Sequence, residues 1–563
     1  ETPKTLGLAD WDQVKPLPSL SPAVAVQIGV LPAGSGKAEI SAGLKRLYWY
    51  SQKFQAELGI RTFAEKTKAF RDALGPDVHT SANLGSMMPF YWMHQATFIE
   101  SFKKGAMSLA WSEDYTYCQP EASRLVADFE TAYLRKGASY HDTPMQFYCM
   151  PHWPGNTPEG LMQNAVLEWG QGVKDLNFYQ INPDIWATEN YVAYRGGMPT
   201  LEAVRAISGM AGLVEDHLLP ARVEAARIAM LLSEASDVWE TEGKGQDAVE
   251  PGSVASNVSQ EERKAIWYAL RRAGYRVDVV TEDDCSEGPL KQYSVLYVCG
   301  QNLDTKAAQA VEKWVKAGGV VFATAGAARR DEFDAPAIEL DEVFGRGAQV
   351  SYQRYKGPLR ARLELIWQKP LDQVTLAGGG TVNALCSREE FAVTKDAQVL
   401  GSYKNGKPAL IEHTYGKGRA FYAGLLPGQA YLQPGMPVKP QGKSGPQSAY
   451  WMTEPMTWDT TAASVLLSPV KAAGVQPDTI ASAPGVVINR LKSEKSTVLT
   501  VVNLGQQVNG DLKDVEIRVA NAGSVKRAWS CYHAKGNLLV DQKDGVAVVR
   551  LPTLGAADVI VLE

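Results

Sequence analysis

The chain has 563 residues, 45% of them hydrophobic and 21% charged, with a formal net charge of −5. That length suggests three or four domains, and that composition is globular. The acidic balance argues against nucleic acid or an anionic membrane surface as a partner, and no apolar run approaches the ~18–20 residues that cross a bilayer.

Six cysteines (Cys118, Cys149, Cys285, Cys299, Cys386 and Cys531) are scattered, with no CxxC or Cys/His cluster. Neither a disulfide framework nor a zinc site is indicated, and no cofactor is expected. The 14 Trp and 23 Tyr suit either carbohydrate platforms or a large core. The sequence opens on Glu1, which reads as a processed or trimmed start.

Residues 1–35 are Pro-rich and read as a long loop. From Ile40 to Leu74 the period is helical, and Gly75-Pro76 ends it. Val78 to Ser81 is expected as a strand delivering Asn83. A helix from Thr97 to Lys104 and a strand from Met107 to Trp111 follow, the latter ending in Glu113 and Asp114. A helix from Pro120 to Lys136 leads to a third strand, Met145 to Met150. A helix from Pro158 to Gly172 leads to a fourth, Leu176 to Tyr179. The third and fourth strands run into loops dense in His, Trp, Asn and Glu, where a β/α unit carries chemistry. Four such repeats look like half of a (β/α)₈ barrel, which leaves two sheet edges open.

Beyond Ala225 the text becomes a doubly wound parallel sheet without a G-x-G-x-x-G or G-x-x-x-x-G-K-[ST] phosphate loop. Pro408 to Gly428 reads as its closing strand, turn and strand. Residues 431–455 read as a surface loop, Thr460 to Gly474 as a helix, and everything after Ser482 as an antiparallel β-sandwich. The expected fold class is α/β: the second half of a (β/α)₈ barrel over 1–224, a flavodoxin- or amidotransferase-like doubly wound domain over 225–430, a linker and helix over 431–480, and the sandwich over 481–563.

This order of parts resembles the family 42 glycoside hydrolases (β-galactosidases). The likeness is carried by LADWDQVKPL, VHTSAN, LAWSEDY, the run from Phe147 to Gly155, ATENYVAY, RKAIWYALRRAGYRVDVV, and GVVINRLKSEKSTVLTVVNLG. The resemblance implies a carbohydrate substrate and a homo-oligomer, a trimer by analogy, through the middle module. It also implies a nucleophile Glu at the end of the third strand, where this sequence has Pro151. The family's acid/base Glu lies upstream of the first matching text. The first half of the barrel is therefore expected from a second chain or a removed segment.

Hydrolysis of a glycoside needs two carboxyl groups, ~5 Å apart for retention and ~6.5–9.5 Å for inversion. Candidate catalytic residues are Glu113, Asp114 and Glu189, with Asp142 and Asp184 on nearby loops. Only one of Glu113 and Asp114 can face the barrel mouth, because successive strand residues point to opposite sides. Glu113 is the first choice; a cap or an ion pair is the bland role for Asp114. Expected sugar contacts are Asn83, Trp111, His152, Trp153, Trp186 and Tyr191; His152 could also act as an acid, and a turn, core or packing role is the alternative for Asn83, His152, Trp153 and Trp186. Cys299-Gly300 lacks the preceding glycine and the His partner of an amidase nucleophile. The competing reading is a non-catalytic sugar-binding or assembly protein.

Overall fold

The computed structural model describes residues 1–37, 40–82, 95–113, 122–151, 156–179, 198–241, 258–355, 369–436, 454–532 and 536–563.

The amino-terminal part begins with a strap that leads to a 33-residue helix, Ala42–Leu74. Ser41 caps that helix by accepting from the Leu44 N–H, and Gly75 (φ 106°) ends it. Its first turns dock on the middle domain. Leu44, Leu47, Tyr48 and Trp49 form one apolar cluster with Leu6, Leu17, Ala235 and Val238. Lys53 pairs with Glu234 at 2.5 Å beside that cluster.

Three parallel strands follow, Ala110–Glu113, Met145–Cys149 and Asp175–Phe178, hydrogen-bonded in that order. The helices Leu125–Ala138 and Pro158–Gly170 connect them and cover one face. Thr157 caps the second helix through the Gly160 N–H, with Pro158 in its first turn.

The strand expected over Val78 to Ser81 is not in this sheet, so there are three described strands rather than four. The Thr80 carbonyl accepts from both Ser108 N and Leu109 N, at 2.9 and 3.1 Å. The Ser108 hydroxyl in turn accepts from Thr80 N at 2.9 Å. A bifurcated bond and a side-chain bond replace a ladder, and the neighbouring strand starts three residues later than its apolar run suggested.

The middle domain is a nine-stranded sheet. Its parallel portion runs in the order Gly418–Ala423, Val320–Ala323, Val295–Val298, Ile228–Leu232, Asp278–Thr281. The three central strands are buried end to end, as a parallel sheet covered on both faces requires. Pro408–Tyr415, Gln398–Tyr403, Asp372–Leu376 and Thr381–Ala384 extend it antiparallel. Arg346–Arg354 and Ser387–Val393 form a separate two-stranded ribbon.

The carboxyl-terminal part is two antiparallel sheets of four and five strands. Arg222–Val223, on the way from the amino-terminal part to the middle domain, joins the larger sheet beside Val486–Lys492. One continuous apolar cluster runs from Phe98 through Trp267 and Tyr297 to Val561, so all three parts share a core.

Of the surface loop expected over 431–455, only the two ends, 431–436 and 454–455, are among the described residues, and they hold buried side chains. Tyr431 and Leu432 end a buried helix and Glu454 is 2% exposed. Helix Thr460–Ala472 packs into the same shared core through Leu466 and Val470.

Candidate functional site

The site is built on the face of the three-stranded sheet that the helices do not cover. The Cys149 thiol donates to Glu168 of helix Pro158–Gly170 at 3.0 Å, so Met145, Phe147 and Cys149 face the helices. Alternation then turns Gln146 and Tyr148 to the opposite face. The register pairs Trp111 with Gln146 and Glu113 with Tyr148. Tyr148 is paired with Asn177 on the third strand. Trp111, Glu113, Gln146, Tyr148, Asn177 and Tyr179 therefore share one face.

That face is aromatic and polar rather than aliphatic. The Trp111 and Tyr148 rings meet edge to face at 4.8 Å, and Tyr148 stacks parallel to Tyr179 at 6.0 Å. Glu113 is 6% exposed at the carboxyl end of its strand. The buried Trp111 indole N–H has no hydrogen-bond partner among the described residues. Stacked rings beside a buried carboxylate can hold the C–H face of a sugar and carry a proton to or from it.

Of the residues singled out from sequence, Glu113 and Trp111 are brought together here. Asn83, Asp114, His152, Trp153, Asp184, Trp186, Glu189 and Tyr191 lie outside the described residues. Asp142 is corrected: it precedes the second strand, at the opposite end of the sheet from Glu113, and pairs with Arg222 at 3.1 Å. Tyr148 and Tyr179 were missed. The parity of Met145 to Met150 would have found Tyr148, because its apolar partners take the odd positions.

Neighbouring groups hold the strand ends in place. Asn156 donates to the Met150 carbonyl at 3.1 Å, just before Pro151. Where the chain re-enters after Glu113, the Ser123 hydroxyl and Arg124 N–H donate to Glu454 at 2.9 and 3.0 Å. Glu454 also pairs with Arg272, whose guanidinium lies 3.5 Å over the Trp458 ring. Asp128, fully buried on helix Leu125–Ala138, accepts four hydrogen bonds: from Gln171 at 2.7 Å, Trp267 at 2.8 Å, Arg271 at 2.9 Å and Asn489 at 3.0 Å. One carboxylate thus ties the amino-terminal part to the middle domain and the sandwich.

The crevice of the doubly wound sheet, where such folds bind ligands, is filled by its own side chains. Glu282 accepts from Ser233 at 2.8 Å, Ala235 N at 3.2 Å and Asp304 N at 2.9 Å. Cys299 beside it is fully buried, and burial pushes its thiol far up, away from a reactive thiolate. A side chain on Gly300 (φ 105°) would meet the Ser236 hydroxyl at 2.3 Å. Among the described residues, the Ser236 side chain closes the space beside Cys299-Gly300.

Residues 226–434 match the β-galactosidase trimerisation domain family. A segment of 316 residues, 52% of this chain, is 25% identical to β-galactosidase BgaP of Planococcus sp. (strain L4). It spans 42% of that relative's length. Among solved structures, the cold-adapted β-galactosidase from Rahnella sp. R3 superposes with a TM-score of 0.64 at 15% identity, over 94% of this chain and 70% of that one. The β-galactosidase from Bacillus circulans sp. alkalophilus gives 0.62 at 16%, over 92% and 68%. Gan42B, a GH42 β-galactosidase from G. stearothermophilus, gives 0.63 at 14%, over 92% and 68%. The chain is a family 42-like protein. At these identities the solved structures speak for the fold. Within the family 42-like chain, the matched 226–434 segment is the nine-stranded sheet and the helices that pack on it.

Proposed function

We propose that the family 42-like chain is a carbohydrate-active protein that cleaves β-glycosidic, galactoside-like bonds at the aromatic face of its three-stranded sheet. The observation that carries this reading is the buried Glu113 on one face with the Trp111, Tyr148 and Tyr179 rings. Glu113 is assigned as a catalytic carboxyl and Trp111 as a sugar contact. Asp114 and Glu189 are the candidates for the second carboxyl group, with Asn83, His152, Trp153, Trp186 and Tyr191 as further contacts.

The three-stranded sheet is proposed to be the second half of a (β/α)₈ barrel. Its outer strands, Ala110–Glu113 and Asp175–Phe178, have no further strand beside them among the described residues. The flanking helices also expose large apolar side chains, Phe54, Leu58 and Leu213 among them. Remaining β/α units, from a second chain or from further polypeptide of the same protein, would pair those edges and cover those side chains. The trimerisation-type middle domain supports a homo-oligomer, with a trimer as the expected state.

The second reading, a sugar-binding or assembly subunit without turnover, is favoured by Pro151. It stands where the resemblance places the nucleophile and offers no titratable group. Hydrolysis of an aryl β-galactoside by the wild type, lowered by about 10²–10⁴-fold in Glu113→Gln, supports the catalytic reading. Glycan binding without turnover in both proteins supports the binding subunit.

A further inference from the structure

The carboxyl-terminal sandwich carries a cleft of about 610 Å³ on the outer side of its four-stranded sheet, walled by Asp514, Glu516, Asn537, Leu539, Arg550 and Thr553. The sequence explains why the sheet opens there. Asp514 adopts a left-handed backbone (φ 51°). Opposite it lies Pro552, which has no N–H to give to the ladder, and the pairing steps from Lys513–Thr553 to Val515–Leu551 across the gap.

The groups around the cleft are fixed. Arg550 Nε donates to Glu516 at 3.1 Å, and its other arm lies 3.0 Å from Asp541. The Asn537 carbonyl accepts from Arg527 at 2.9 Å, which orients its NH₂ as a remaining donor. Thr553 accepts from Lys513 at 3.1 Å. Leu539, 70% exposed, adds an apolar surface.

This chemistry selects among ligands. Asp514, Glu516 and Asp541 are balanced by Arg550, Lys513 and Arg527 around the cleft, so the described walls favour neither anions nor cations and suit a neutral ligand. Among the described residues the walls hold no Cys or His, so this lining offers no ligand for thiol chemistry or a soft metal. Alternating carboxylate acceptors and Arg and Asn donors suit vicinal hydroxyls, and Leu539 with Pro552 suits the C–H face of a ring. We infer that this cleft is a second, non-catalytic binding site for a neutral oligosaccharide, separate from the sheet that bears Glu113. The choice of sugar over other neutral polyols rests on the carbohydrate reading above.

The test is calorimetric titration of the full chain with galactotetraose, in the Glu113→Gln background so that no substrate is consumed. Saturable binding weakened about tenfold or more by Arg550→Ala and by Asn537→Ala is expected, with Glu516→Gln as the milder change that keeps the fold. Aryl β-galactoside hydrolysis by Arg550→Ala in the otherwise wild-type chain should stay unchanged. Binding that Arg550→Ala and Asn537→Ala leave intact, or no saturable binding in Glu113→Gln, overturns the proposal. Neither of those results bears on hydrolysis at Glu113, so the two readings fail separately.

Discussion

Asp128 shows what one buried carboxylate does in this molecule. Its four donors come from the amino-terminal part, the middle domain and the sandwich, and one of them, Arg271, is itself 2% exposed. Asp128→Ala leaves that guanidinium buried without its counter-charge, and a loss of ~3–5 kcal/mol is expected. Denaturant unfolding checks it; a loss below ~1 kcal/mol would mean that water replaces the carboxylate. Two other buried carboxyls work against the fold at high pH. Burial raises Glu262 to about 7 and Glu282 to about 8, from 4.5. A raised folded value means that the unfolded chain releases the proton first. The stability from holding these groups neutral is full below about pH 4.5 and is lost as pH climbs to about 8. Folding stability should therefore fall between pH 5 and 8, and Glu282→Gln should reduce that slope. An unchanged slope in unfolding curves across this range would show that Glu282 is ionised throughout.

Among the elements, the Pro158–Gly170 helix depends on its last residue. A Cβ at Gly170 would come within 2.4 Å of both the Asn489 amide nitrogen and the Thr500 hydroxyl. Gly170→Ala is expected to lift the helix from the sandwich and lower stability by ~1–3 kcal/mol, read from thermal unfolding. The need for glycine there was invisible in the sequence, because it comes from two strands more than 300 residues away. Local patterns were legible. The Ala42–Leu74 helix, the Met145–Cys149 strand and the parallel strands of the middle domain all announce themselves by period and by their caps. Contacts across the chain were not. The Val78 to Ser81 run has strand-like residues, yet it meets its neighbour through one carbonyl and the Ser108 hydroxyl. The short antiparallel strands between Arg346 and Tyr403 have weak alternation and went unread. Glu454 sits beside a Pro-, Gly- and Lys-rich stretch that looked like surface, and only the fold shows it bound to Ser123 and Arg272. At the site, Glu113 and Trp111 were readable from their strand end. The aromatic row was not, because it forms across strands.

At the scale of the whole molecule, the middle domain occupies the centre of the apolar core and matches a trimerisation family. Sedimentation equilibrium should therefore show a concentration-dependent oligomer, a trimer by expectation; a monomer at all concentrations would remove the middle domain from assembly. Under the barrel proposal, further β/α units would cover the apolar side chains exposed on Ala42–Leu74 and Met198–Leu218. Native mass spectrometry of source material should find this chain with such units, in one polypeptide or two. The folded 563-residue polypeptide by itself would contradict the barrel proposal. The most direct measurement is hydrogen exchange with and without a galacto-oligosaccharide, followed strand by strand. Slowed exchange in Ala110–Glu113, Met145–Cys149 and Asp175–Phe178 is the expected result. Protection confined to the Ser233 and Asn302 end of the middle sheet, with none in those three strands, would contradict it.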